Sequence, residues 1–137
     1  MSCIKGDIIF VKDYIHEGKH LKGHPFVVLS DEPGQIYGVD FNLVALVMSS
    51  FKNEEQRKRK LSYPGNFAVS ASEKTISGKE NKDAFIKAEQ LYYFDTEKLD
   101  YTVIGQLSID VWEALLDFMD DLAEKGIEFK DIVDNIQ

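Results

Sequence analysis

The chain predicts a mainly-β fold with α additions, a small and strongly bent β-barrel that ends in one carboxy-terminal helix. Three observations carry that expectation. Short runs rich in Val, Ile and Phe recur with turn residues between them, enough for seven or so strands. Two of these runs, residues 26–29 and 43–48, are apolar without interruption, as in strands covered on both faces. Beyond residue 108 the apolar positions recur at spacings of three and four, the period of a helix. At 137 residues the chain is long enough to bury a core and is read as one domain, 1–137.

Taken in order, Lys5-Gly6-Asp7-Ile8-Ile9-Phe10-Val11 is a strand signal behind a glycine turn. Residues 12–23 hold two glycines and three lysines without periodicity, which predicts a solvated loop. Pro25 holds its predecessor extended and opens the apolar strand that follows. Pro33 and Gly34 mark a turn, residues 36–40 a short strand, and residues 41–50 the second buried strand. Residues 51–60, with five bases and two acids, read as a mobile, positively charged segment. Residues 66–72 alternate as a half-exposed strand, 73–83 form a polar loop rich in lysine, and 84–94 form one strand. Period two then places Phe85, Lys87, Glu89 and Leu91 on a single face. Residues 95–98 are a turn and 101–107 the last strand. Ser108 is a suitable N-cap, Asp110 complements the helix dipole, and Gly126 marks the stop, with a short second helix expected over 127–137.

A net charge of −8 argues against a nucleic-acid partner until its distribution is considered. Residues 95–137 carry 12 acids against 3 bases, whereas residues 1–94 carry 13 bases against 12 acids. The acidity is confined to the last third, and the remainder is free to present a basic face. The longest apolar run is far too short to span a bilayer, no apolar leader precedes the first strand, and the single Cys3 has no intrachain disulfide partner. A cytoplasmic protein with no membrane association is expected. Neither a cofactor nor a metal centre is expected from three histidines and one cysteine without a Cys-x-x-Cys motif.

Several residues carry candidate chemistry. His24 stands where a loop enters a buried strand, and His16 and His20 lie in the preceding loop; each titrates near neutrality. Ser49 and Ser50 end a core strand, where hydroxyls cap a turn or bind a phosphate oxygen. Lys87 and Glu89 would place a cation and a carboxylate side by side, useful for moving a proton next to a phosphate or worth little as a surface ion pair. The bases Lys19, Lys22, Lys52, Arg57, Lys58, Arg59 and Lys60 are candidates for holding a phosphate backbone.

Across residues 4–122 the chain resembles the MazF/PemK (Kid) toxins of toxin–antitoxin systems. The resemblance rests on Lys5-Gly6-Asp7-Ile8-Ile9-Phe10, on His16-Glu17 ahead of Gly23-His24-Pro25-Phe26-Val27-Val28-Leu29-Ser30, and on Asn66-Phe67-Ala68-Val69-Ser70. Phe85-Ile86-Lys87-Ala88-Glu89-Gln90 leading to Phe94-Asp95 completes it. It implies an SH3-like barrel of the MazF/PemK/CcdB-like kind, a homodimer, an antitoxin partner, and metal-independent cleavage of single-stranded RNA. On that reading the RNA 2′-hydroxyl attacks its adjacent phosphate. Glu89 or His16 takes the hydroxyl proton, His24 protonates the leaving oxygen, and Lys87 with Ser49 holds the phosphorane. Family members typically show Arg-Pro where this chain has His24-Pro25. That departure motivates an alternative, a barrel of the same ancestry that has lost catalysis and binds RNA or protein.

Overall fold

The computed structural model describes residues 2–137 and is organised around a twisted, mainly antiparallel sheet. The strands in chain order are β1 (Asp7–His16), β2 (Lys19–Ser30), β3 (Gly34–Ile36), β4 (Val39–Phe41), β5 (Leu43–Ser50) and β6 (Asn66–Val69). They continue with β7 (Lys74–Ile76), β8 (Ala84–Lys87), β9 (Gln90–Phe94), β10 (Tyr101–Leu107) and β11 (Lys130–Ile132). Two helices, α1 (Glu54–Leu61) and α2 (Ile109–Glu124), complete the chain. None of the helices is long and apolar enough to cross a membrane.

The main sheet runs β11-β9-β5-β2-β1-β10-β7, while β3 and β4 pair only with each other. β5 divides its outer edge between two partners: residues 43–45 pair with β9, and residues 48–50 pair with β8, which in turn pairs with β6. The expected closed barrel is not formed. β6 and β7 follow one another through a one-turn 3-10 helix, Ala71–Glu73, and share no ladder, so the sheet ends at β7 on one side and β11 on the other.

Both buried runs are covered on two faces, as their apolar continuity requires. Along β5, Leu46 and Met48 join Ile8, Val27, Ile86 and the α2 residues Val111, Leu115 and Leu122 in one core. The alternate residues Leu43, Ala45 and Val47 join Ile9, Val11, Phe26, Val28 and Phe94 in a second core on the opposite face. α2 begins where Ser108 Oγ accepts from the Val111 N–H at 3.4 Å and stops at Gly126, whose φ of +79° favours glycine.

Several local expectations are revised, among them the single strand over residues 36–40, which is divided between β3 and β4 by a turn at 37–38. The stretch 12–23 is not a loop but the arms of one long hairpin, with Asp13 opposite Lys22 and His16 opposite Lys19. Its two-residue turn, Glu17-Gly18, has φ of +50° and +81°, the left-handed pair that matches strand twist. The basic segment is not mobile. Residues 54–61 form α1, capped by Asn53 Oδ1 accepting from Gln56 N–H at 2.7 Å, with Glu54 and Glu55 in the first turn and Lys58, Arg59 and Lys60 in the last. Residues 84–94 are two strands, because Ala88 and Glu89 turn the chain between β8 and β9. Finally, 127–137 is not a helix: β11 runs parallel to β9, and Ile132 and Ile136 are buried. Asn135 bonds both the N–H and the carbonyl of Ile15, at 2.7 and 3.0 Å, which ties this tail to the hairpin.

Candidate functional site

A cleft of about 630 Å³ opens where β2, the end of β5 and β8 meet the segment 74–82, a size suited to a small-ligand or nucleotide site. Its apolar floor includes Phe10, Met48 and Phe85. Its polar wall is unusually cationic: Lys52, Lys60, Lys74, Lys79, Lys82 and Lys87 line it, against the single acid Glu80. The glycine at position 23 matters here, because a Cβ on Gly23 would overlap the Phe10 ring. Phe10 therefore packs flush against the middle of β2, and the centre of its ring lies 3.7 Å from the Lys79 ammonium.

His24 and Ser49 share the cleft as neighbours on paired strands. Ser49 Oγ lies 3.4 Å from His24 Nε2, and His24 Nδ1 lies 3.3 Å from the Pro25 carbonyl oxygen. A carbonyl only accepts, so the tautomer that satisfies Pro25 carries the hydrogen on Nδ1 and leaves the Nε2 lone pair toward Ser49 and the cleft. Burial holds the His24 imidazole below its ordinary value of 6.5, and the nearby Lys87 charge pushes in the same direction, against hydrogen bonds from the ring to the backbone carbonyls of Pro25 and Met48. At neutral pH His24 is a neutral base. Lys87, at the end of β8, is half-buried.

The five residues picked out for proton transfer and phosphate binding are thus divided. His24, Ser49 and Lys87 line one cleft; Glu89 and His16 do not. The turn after β8 carries Glu89 away from Lys87, over Gly65, where a Cβ would meet the Glu89 carboxylate as it lies. Its Oε2 is buried and has no hydrogen-bond partner among the described residues. His16 sits at the hairpin tip with Nδ1 2.6 Å from the Tyr92 hydroxyl and Nε2 3.7 Å from Glu17. Its basicity is lowered by burial and then by Lys130 and Lys87. His20, four residues on, lies across the hairpin opposite Ile15 and is exposed.

The candidate backbone-binding bases are also spread. Lys52 and Lys60 line the cleft, whereas Arg57 lies over the Phe51 ring, 5.4 Å from its centroid. Lys58 and Arg59 are exposed on α1, and Lys19 and Lys22 are exposed on the outer half of β2. Sequence reasoning missed Lys74, Lys79 and Lys82 as site residues. Their signal was the lysine content of 73–83, read as solvated loop although Thr75-Ile76 is a β-branched pair that forms β7 against β10.

Compared with known proteins, residues 4–120 match the family model described as PemK-like, MazF-like toxin of type II toxin-antitoxin system. No curated protein matches the chain.

Proposed function

Given that this chain belongs to the PemK-like, MazF-like toxin family of type II toxin–antitoxin systems, we propose that it is an endoribonuclease, cleaving single-stranded RNA by attack of a 2′-hydroxyl on the adjacent phosphate. The observation that carries this reading is the presence of a neutral imidazole in contact with a hydroxyl, together with Lys87, in one cleft lined by six lysines. Cations along a groove suit a phosphate backbone, and aromatic floor residues suit a base.

In the proposed reaction His24 is the base rather than the acid. Nε2 takes the 2′-hydroxyl proton as the O2′–P bond forms, and the 5′-oxygen leaves with the electron pair of the broken P–O bond. Water in the open cleft protonates that oxygen. The result is a 2′,3′-cyclic phosphate and a 5′-hydroxyl. Ser49 donates a hydrogen bond to a phosphoryl oxygen, and Lys87 balances the charge that develops there. Glu89 takes no part in these steps. An antitoxin as partner, a homodimer as the working form and the cytoplasm as its location follow from the same family reading.

Purified protein incubated with single-stranded RNA in excess chelator tests the proposal. Fragments ending in cyclic phosphate, lost in Ser49→Ala and Lys87→Met, support it. Intact RNA bound with unchanged affinity by all three proteins favours a second reading, a binding module without catalysis. That reading draws on the separation of Glu89 and His16 from the cleft.

A further inference from the structure

Lys74 is the one buried charged residue among the described residues, 5% exposed, and it lines the cleft. Its ammonium donates to Asn81 Oδ1 and to the Lys82 carbonyl, both at 2.6 Å. Both acceptors are neutral, and an ammonium has three donors. The carboxylates nearby are engaged elsewhere: Asp83 accepts from the Ala71 N–H, and Glu73 from the N–H and hydroxyl of Ser70. No carboxylate among the described residues lies within ion-pair distance of Lys74. A buried cation is normally paired, because removing it from water is expensive. Burial weakens the ammonium's hold on its proton, while the fields of Asp83 and Glu73 strengthen it.

The surroundings also fix its position. Asn81 donates to the carbonyls of Ala71 and Lys74, so the loop after β7 is folded back around the ammonium. Lys82 leads into Ala84, which pairs with Ser50, whereas Lys87 lies three residues further along β8. Ala84 and Lys87 are separated by roughly 10 Å at the rise of a strand. Ser49 pairs with Phe85, between these two points, so Lys74 and Lys87 flank the His24–Ser49 pair from the two directions of β8.

We infer that Lys74 is a preorganised phosphate-holding residue, gripping a backbone phosphate of a bound single strand away from the one attacked. The inference rests on the RNA reading above, but not on cleavage. A flexible surface lysine must be ordered when it binds, whereas this ammonium is already held with a donor to spare.

The test uses the full chain and an oligothymidylate of about ten nucleotides, within the site size of single-strand binders. It has no 2′-hydroxyl and cannot be cut by the proposed route. Binding is followed by fluorescence anisotropy as salt is raised, for the wild type, Lys74→Met and Asn81→Ala. Lys74→Met is expected to weaken binding about five- to tenfold at low salt and to reduce the slope of log affinity against log salt by about 0.7, the release accompanying one phosphate contact. Asn81→Ala removes the clamp but keeps the charge, and its slope should equal that of the wild type. Equal slopes for all three overturn the assignment and leave Lys74 a structural tie for the loop. Failure of the wild type to bind at all defeats the RNA reading first, and this inference with it. Should Lys74→Met not fold, NMR of the wild type decides: the Lys74 ε-methylene signal must move with oligothymidylate and stay still with its uncharged methylphosphonate counterpart. A signal that stays still with both overturns the inference.

Discussion

Replacing His24 by glutamine isolates the imidazole's chemistry from its place in the fold. The ring's aromatic neighbours, Tyr14 and Phe26, stand edge-on with centroids 6.5 Å away, and its hydrogen-bond contacts at 3.3 and 3.4 Å are long. Loss of these contacts costs about 1 kcal/mol, within the range of an ordinary substitution. Glutamine is polar, comparable in length, and able to donate to the Pro25 carbonyl, but it cannot take a proton. A positioned base contributes about 10²- to 10⁴-fold in rate, which corresponds to roughly 3–5 kcal/mol of activation free energy. In steady-state cleavage of a fluorogenic single-stranded RNA, kcat should fall by that factor while KM changes by less than about threefold, because the six lysines remain. Wild-type kcat should rise with pH below 6.5 and level off as the imidazole becomes neutral, since burial holds its value down; His24→Gln should lack that limb. A variant that keeps kcat within about threefold of wild type, or loses KM alone, refutes the assignment of His24 as base.

Three further outcomes are expected. Gly105→Ala would drive a Cβ into the Thr75 carbonyl across the β10–β7 ladder; an overpacking loss of about 1–3 kcal/mol should appear in urea unfolding, and oligonucleotide affinity should fall because β7 carries Lys74. Both His16 and His24 are held below 6.5, so the unfolded chain binds more protons than the native one as the pH falls beneath that value. The linked stability is fully present above 6.5 and is lost as the pH drops through the folded values; thermal unfolding between pH 7 and 5 should therefore be less acid-sensitive in the His16→Gln, His24→Gln double variant. Glu89→Gln should leave cleavage within about threefold of wild type, as for a residue outside the chemistry, whereas a hundredfold loss of kcat would restore the carboxylate to the mechanism.

What the sequence disclosed depended on the range of the forces involved. The two apolar runs, the helix from Ser108 to Gly126 and the turn near residue 95 are written in local composition, and they stand where expected. Position 17 was harder. Glu17-Gly18 is a poor match to the commonest hairpin dipeptides, and the polar arms around it hid a ladder that needs the opposite strand to be recognised. α1 has a nearly continuous polar surface, so no apolar stripe announced it; Asn53 and the graded charge from Glu54 to Lys60 were its only signs. Closure of the sheet is a tertiary property, decided by the 3-10 turn at 71–73.

The site was legible to the same extent. Ser49 and Lys87 lie at the ends of β5 and β8 and His24 within β2, where strand register brings them to one cleft. Glu89 was misplaced beside Lys87 because one strand was read through Ala88, whereas a turn there interrupts the strand with extra residues before it continues along β5 in the same direction. Lys74 looked like a loop residue since burial of a lysine depends on partners distant from it in kind, an asparagine and a carbonyl contributed by the returning loop.

Substitution of a single nucleotide tests the central claim most directly. An RNA that the protein cuts at one defined bond is resynthesised with 2′-deoxyribose on the 5′ side of that bond and otherwise unchanged. Cleavage there should stop while binding persists, since only the attacking hydroxyl has been removed. Continued cutting of the deoxy-substituted bond at the original rate would show that another nucleophile does the work, and the role given to His24 would fall with it.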